Sequence, residues 1–177
     1  MNRSKLKSFL ILKICFVCAL FFFRIVIFAQ TAEEYYKQGN IKNDLGDYAG
    51  AVREFSKSIE INPNVSTPYC ERGIAREKIK DYRGAILDFN KAIIFNPKFP
   101  EAYYNRGVSK YKLVDYSGAI KDFNKTIRLY PSYAKAYSFR GLSKINMGDK
   151  EDGCLDLNKS IELGDEDAHF QKKKYCE

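Results

Sequence analysis

The chain carries a single histidine, His169. A Ser–His–acid triad needs an imidazole beside its nucleophile and a multi-histidine metal site needs several, so neither can be assembled from this chain. Beyond the apolar leader, which holds Cys15 and Cys18, the cysteines Cys70, Cys154 and Cys176 lack the short paired spacings of a zinc site. Gly39, Gly73, Gly107 and Gly141 sit singly inside helical patterns, so no glycine-rich phosphate loop is present. The expectation is a chain without catalysis, metal or cofactor. Two charged rows do keep a fixed relation. Arg72, Arg106 and Arg140 stand before glycines, while Asp88, Asp122 and Asp156 stand before Phe or Leu, and upstream both change together, to Gln38 and Glu54. An anion-binding ladder is one reading. Bidentate Arg–carboxylate pairs tying helices together is the other, and the shared change favours it. Lys42, Arg76, Lys110 and Lys144 form a second basic row, read as solvated or paired.

The net charge of +8 divides unevenly. Residues 1–29 hold Arg3, Lys5, Lys7, Lys13 and Arg24 with no acidic side chain, leaving 25 basic against 22 acidic residues elsewhere. That surplus is too dilute for phosphate-backbone binding, which relies on a concentrated basic face, so no nucleic-acid partner is expected. The basic leader precedes an apolar stretch whose centre, Ile14 to Phe23, has the length of a signal-peptide hydrophobic region. Lys13 and Arg24 flank it and argue against a 20-residue span. Cleavage after Ala29 is the expectation, with an uncleaved membrane anchor as the alternative. Either places the remainder outside the cytoplasm: periplasmic first, otherwise inner-membrane anchored or secreted.

The elements that position these residues follow from a period. Gly39, Gly73, Gly107 and Gly141 are 34 residues apart, and so are Tyr35, Tyr69, Tyr103 and Tyr137. Asp47, Asp81, Asp115 and Asp149 keep the step, as do Ile59, Ile93, Ile127 and Ile161. Phe55, Phe89 and Phe123 continue as Leu157; Ala51, Ala85 and Ala119 as Gly153; Pro63, Pro97 and Pro131 as Asp165. Fixed self-similarity of this length marks stacked supersecondary units. Each aspartate suits the N-cap of a second helix. In the third unit that helix sets Ala119, Ile120, Phe123 and Ile127 on one apolar stripe. Pro131 then ends it. Two antiparallel helices per unit follow.

These columns resemble the tetratricopeptide repeat, of an exported bacterial type. The resemblance covers residues 32–167 as four units: 32–65, 66–99, 100–133 and 134–167. It implies an all-α, right-handed superhelical solenoid of four helix-turn-helix repeats, with residues 168–177 as a C-terminal capping helix, apolar at Ala168 and Phe170.

The resemblance also implies a concave groove lined by the first helix of each repeat. Its floor would be Tyr36, Asn40 and Asn43, then Cys70, Ile74 and Glu77, then Tyr104, Val108 and Tyr111, then Ser138, Leu142 and Ile145. Rings beside amides and aliphatics suit an extended or helical peptide, with Tyr104 and Tyr111 as anchors. Some of these residues could instead contact the capping helix. The carboxylate clamp of chaperone-binding members needs Lys, Asn and Arg at rows where only Asn40 fits, so that subclass is set aside. The implied function is a non-catalytic scaffold holding a protein or peptide in the groove. The alternative is a structural subunit of a cell-envelope complex that uses its convex face and terminal repeats. A membrane enters only if residues 1–29 are retained as an anchor.

Cys154 stands in the column of Val52, Ile86 and Ile120, so it should face the interior of the last helix pair. Cys176 ends the helix that must fold back over that pair. A Cys154–Cys176 disulfide is expected, with Cys70 left free in the groove.

Overall fold

The computed structural model describes residues 30–177; the expected signal peptide over 1–29 lies outside them. Nine helices occur among the described residues, and no strand. They pair as α1 (Ala32–Asp44) with α2 (Tyr48–Ile61), α3 (Ser66–Lys78) with α4 (Tyr82–Phe95), α5 (Pro100–Lys112) with α6 (Tyr116–Leu129), and α7 (Ala134–Asn146) with α8 (Lys150–Glu162). The chain closes with α9 (Asp167–Tyr175). The first helix of each pair begins where the sequence period places a repeat boundary. Helices pack within a pair, on the next pair, and along the row of first helices, which is the contact pattern of a solenoid.

Local chemistry fixes the ends. Asp47, Asp81 and Asp115 accept hydrogen bonds from the backbone N–H of Gly50, Gly84 and Gly118 at 2.8–2.9 Å, capping α2, α4 and α6. Asp149 caps α8 through Asp152 N at 3.3 Å. The turn within each pair requires a left-handed residue. Gly46 and Gly148 supply it in the first and fourth repeats, whereas Lys80 (φ 64°) and Val114 (φ 66°) are forced into it in the others.

The tyrosine and proline rows work as one device. The hydroxyls of Tyr69, Tyr103 and Tyr137 donate to the carbonyl oxygens of Pro63, Pro97 and Pro131, at 3.1, 3.4 and 3.1 Å, so each repeat is tied to the turn that ends its predecessor. Ala51, Phe55, Ala85, Phe89, Ala119, Phe123 and Leu157 are fully buried between the helices.

The two charged rows are structural. Asp88 accepts two hydrogen bonds from the Nε–Nη2 edge of Arg72 (2.9 and 2.6 Å) and one from Arg76 at 2.8 Å. Asp122 receives Arg106 and Lys110, and Asp156 receives Arg140 and Lys144. In the first repeat, where Gln38 replaces arginine, Glu54 takes Lys42 and Lys57 instead. Every one of these carboxylates is buried, so a double cationic partner offsets the desolvation that a lone buried charge would suffer.

The last repeat departs from the others as a unit. With Leu157 in place of phenylalanine, α7 and α8 approach backbone to backbone, and a Cβ on Gly153 would lie 2.7 Å from the Gly141 carbonyl oxygen and 2.5 Å from Ile145 Cγ1. The Ala-to-Gly and Phe-to-Leu changes are one adjustment. Helix α9 packs through Ala168, Tyr175 and Cys176 against Leu142 and Leu157. Phe170, expected on that face, is 73% exposed, because it lies two residues, about 200° of helical rotation, from Ala168. Cys154 and Cys176 are joined in a disulfide with Cα atoms 5.9 Å apart.

Candidate binding surface

Neighbouring first helices α1, α3, α5 and α7 lie side by side. Two hydrogen bonds stitch their shared face: Ser109 Oγ donates to Glu77 Oε1 at 2.7 Å, and Asn146 Nδ2 donates to the Tyr111 hydroxyl at 3.3 Å. The twelve residues expected on the groove floor divide into rows that the structure treats differently.

Tyr36, Cys70, Tyr104 and Ser138 form the row nearest the following repeat, and that repeat covers much of it. Cys70 is a free thiol but only 1% exposed, and burial, with Glu71 next in effect, raises its pKa above the ordinary range. It is free, as expected, but it is buried under the following repeat and not accessible on the groove floor. Tyr104 packs its ring against Tyr133 at 4.8 Å, Phe139 at 5.9 Å and Phe123 at 6.0 Å. Burial likewise pushes its hydroxyl above the ordinary tyrosine range. The expected anchor is therefore chiefly part of the junction between repeats three and four. Tyr36 packs on Phe55 with centroids 5.8 Å apart. The hydroxyl of Ser138 is buried and donates to Gln171 of α9 at 2.6 Å.

In the fourth repeat one further row is closed as well. Leu142 is buried, and Ile145 packs in the same cluster as Tyr175 and Cys176 of the capping segment. Ser138 and Leu142 are thus covered by α9, the alternative of contact with the capping helix, while Ile145 stays half-buried.

What stays accessible is the inner face of the first three repeats: Asn40, Ile74 and Val108 in one row, with Asn43, Glu77 and Tyr111 beside it, all half-buried. Within it, Asn43 Oδ1 is inaccessible and has no hydrogen-bond partner among the described residues. Glu77 has no ion pair among the described residues, and burial pushes its carboxyl up to about 7 despite the bond from Ser109 and the nearby Lys78 and Lys112. Glu71 is raised by burial and then by Asp44. The contrast with Asp88 and Asp122 is plain: those carboxylates have two cations each, while Glu71 and Glu77 have no ion pair among the described residues.

Several contributors stand outside the groove rows expected from the sequence. Ser109, Tyr133, Phe139 and Gln171 set the floor's shape from neighbouring repeats. The available signal was in the 34-residue step itself, since Ala75 and Ser143 flank Ser109 in its column.

Comparison with known proteins agrees with this architecture. Family models described as tetratricopeptide repeat match residues 32–65 and 100–133, and one described as TPR repeat matches 78–114. No curated protein matches the chain by sequence. Among solved structures, MamA is similar at 25% identity over 81% of both chains, with a TM-score of 0.72. MamA 41-end from Desulfovibrio magneticus RS-1 is 26% identical over 75% of both, with a TM-score of 0.71. The first TPR of Spaghetti (RPAP3), bound to the HSP90 peptide SRMEEVD, shares the fold at 24% identity. It spans 67% of this chain and 94% of its own, with a TM-score of 0.66.

Proposed function

This chain belongs to the tetratricopeptide-repeat family, and from that premise we propose that it is a non-catalytic scaffold holding a segment of another protein against the inner face of its first three repeats. The observation that carries this reading is the inner face itself. Asn40, Ile74, Val108, Glu77 and Tyr111 remain part-exposed along adjoining helices, whereas Leu142, the fourth repeat's equivalent of Val108, is buried beside Ala168 of α9. A mixed row of amide, aliphatic, carboxyl and phenol suits a polypeptide, whose backbone needs hydrogen-bond partners and whose side chains need apolar contacts. Capping the last repeat leaves one bounded site of three repeats' length. No chemistry is assigned to the chain: His169 is exposed, and no group of His, Cys, Asp and Glu suited to a metal occurs among the described residues.

The setting we propose is outside the cytoplasm, most simply the periplasm. The basic leader and apolar run of residues 1–29 support export. The Cys154–Cys176 disulfide supports it too, because such bonds persist in oxidising compartments.

Site-specific photo-crosslinking tests the inner face. A photoreactive phenylalanine derivative at Asn40 or Val108 should trap one discrete polypeptide in the native cell, and the same group at Lys121, on the opposite helix row, should not. Adducts formed only from Lys121 would overturn the reading.

A further inference from the structure

Helix α4 presents a surface that the other repeats lack. Leu87 and Ile94 are 65% and 66% exposed, and Lys91, also exposed, lies between them. At spacings of four and three residues, the three side chains form one stripe along the helix. Beside it runs a depression of about 400 Å³, lined also by Tyr69, Arg72 and Arg76.

The repeat supplies its own controls. Where α4 has Leu87, Lys91 and Ile94, α2 has Arg53, Lys57 and Glu60; α6 has Lys121, Lys125 and Arg128; and α8 has Leu155, Lys159 and Glu162. Only the second repeat carries an apolar residue at both outer positions. The lysine between them is invariant, but its circumstances are not. Lys57 pairs with Glu54 at 3.0 Å and lies over the Tyr35 ring, Lys125 lies 5.7 Å from the Tyr103 ring centroid, and Lys159 pairs with Glu162 at 2.9 Å. Lys91 has no ion pair or ring partner among the described residues.

We propose that this face of the second repeat is a docking site, separate from the inner face, for a short polypeptide segment that brings two apolar side chains and an acidic residue between them. Solvent-exposed apolar pairs of this kind are what binding anchors look like before their partner arrives. The acidic residue is required by position. Any partner covering Leu87 and Ile94 must also take Lys91 out of water, and a cation buried without a counter-charge is strongly unfavourable. Asp88 does not serve, because Arg72 and Arg76 already share it. The surroundings therefore stay positive and draw in an acidic segment. A second copy of this chain is a poorer occupant, since a two-fold interface centred on the stripe sets Lys91 against Lys91.

The test is selection from a phage-displayed library of random 12-residue peptides on the full chain, with counter-selection on Leu87→Lys/Ile94→Arg. Those replacements are the residues the third repeat carries, and circular dichroism verifies that the variant stays helical. Peptides surviving counter-selection should be acidic with at least two apolar residues. Synthetic versions should bind the double variant at least 10-fold more weakly, an Asn40→Ala/Tyr111→Ala variant of the inner face should bind them as the parent does, and Lys91→Glu should abolish their preference over lysine-substituted copies. Recovery of no peptide that depends on Leu87 and Ile94, or of basic or uncharged ones, overturns the proposal. So does self-association in sedimentation, or binding to phosphatidylglycerol vesicles, that the double variant removes, since either assigns the face to a different occupant.

Discussion

Gly107 lies so close to the ring of Phe123 that a Cβ on it would stand 2.7 Å from Cε1. The same approach recurs between Gly39 and Phe55 and between Gly73 and Phe89. The two columns are one requirement: the glycine makes room for the ring that fills the space between the helices. Gly107→Ala gains about 1 kcal/mol of helix propensity but overpacks a site whose ring has nowhere to go, at about 1–3 kcal/mol, so a net loss of about 1 kcal/mol is expected. Phe123→Ala, emptying the same space, should cost about 3–5 kcal/mol. Urea denaturation of both variants checks the order.

Val114 is the plainest local strain. Its φ of 66° is a left-handed conformation that a β-branched residue rarely adopts, and its side chain is 66% exposed, so nothing is packed to compensate. The first and fourth repeats have Gly46 and Gly148 at this point. Val114→Gly should raise stability by about 0.5–1 kcal/mol, the relief of strain exceeding the added chain entropy of the unfolded state. A melting temperature unchanged or lowered counts against it.

Asn43 offers a test of the repeat's internal logic. One repeat on, its column holds Glu77, which accepts a hydrogen bond from Ser109, and the residue in Ser109's column at the first junction is Ala75. The inaccessible, unpaired Oδ1 of Asn43 is thus an acceptor whose donor has been replaced by a methyl group. Ala75→Ser should stabilise by about 1 kcal/mol by supplying that bond. On an Asn43→Ala background the same change should destabilise, since the new hydroxyl is buried without a partner; a double-mutant cycle reads the change of sign.

Glu77 predicts a pH dependence of definite sign. Its folded-state pKa of about 7 lies above the unfolded value, so the folded chain binds the extra proton between them. Stability therefore falls as pH rises from about 4.5 to about 7 and levels off above. Glu77→Gln keeps an acceptor for Ser109 and removes the titration. It should be more stable than the parent at pH 8, by on the order of 2 kcal/mol, and equal to it at pH 4. Parallel stability–pH curves for the two proteins would remove Glu77 as the cause.

Much of the architecture was legible because the same demand is written four times. Asp47, Asp81, Asp115 and Asp149 each cap a helix, and Arg72, Arg106 and Arg140 each find the carboxylate that changes with them. The binding surface was less legible, for a physical reason. A column fixes where a side chain leaves its helix, but not what the next element lays over it. Cys70 and Tyr104 leave the inner face and are then covered by the following repeat; Ser138 and Leu142 are covered by α9, whose rotation put Phe170 outward. The capping helix has no second copy in the chain, so no column exposes its phase.

The Cys154–Cys176 disulfide ties the end of that cover to α8. Helix α9 packs chiefly on α8, its burial rests on Ala168, Tyr175 and Cys176, and Phe170 is mostly exposed. Closing 22 residues by a disulfide contributes about 3 kcal/mol in the chain-entropy model, on the scale of everything else that anchors so short a helix. Reduction should therefore release α9 while the first three repeats stay folded, because in a stacked array each unit depends mainly on its neighbours. Hydrogen exchange should accelerate over residues 167–175 and at Ser138 and Leu142, with α1 to α4 unchanged. Of Cys70, Cys154 and Cys176, one thiol should react in the denatured oxidised protein and three after reduction. If α9 keeps its protection when reduced, packing alone holds it and the disulfide is not its anchor.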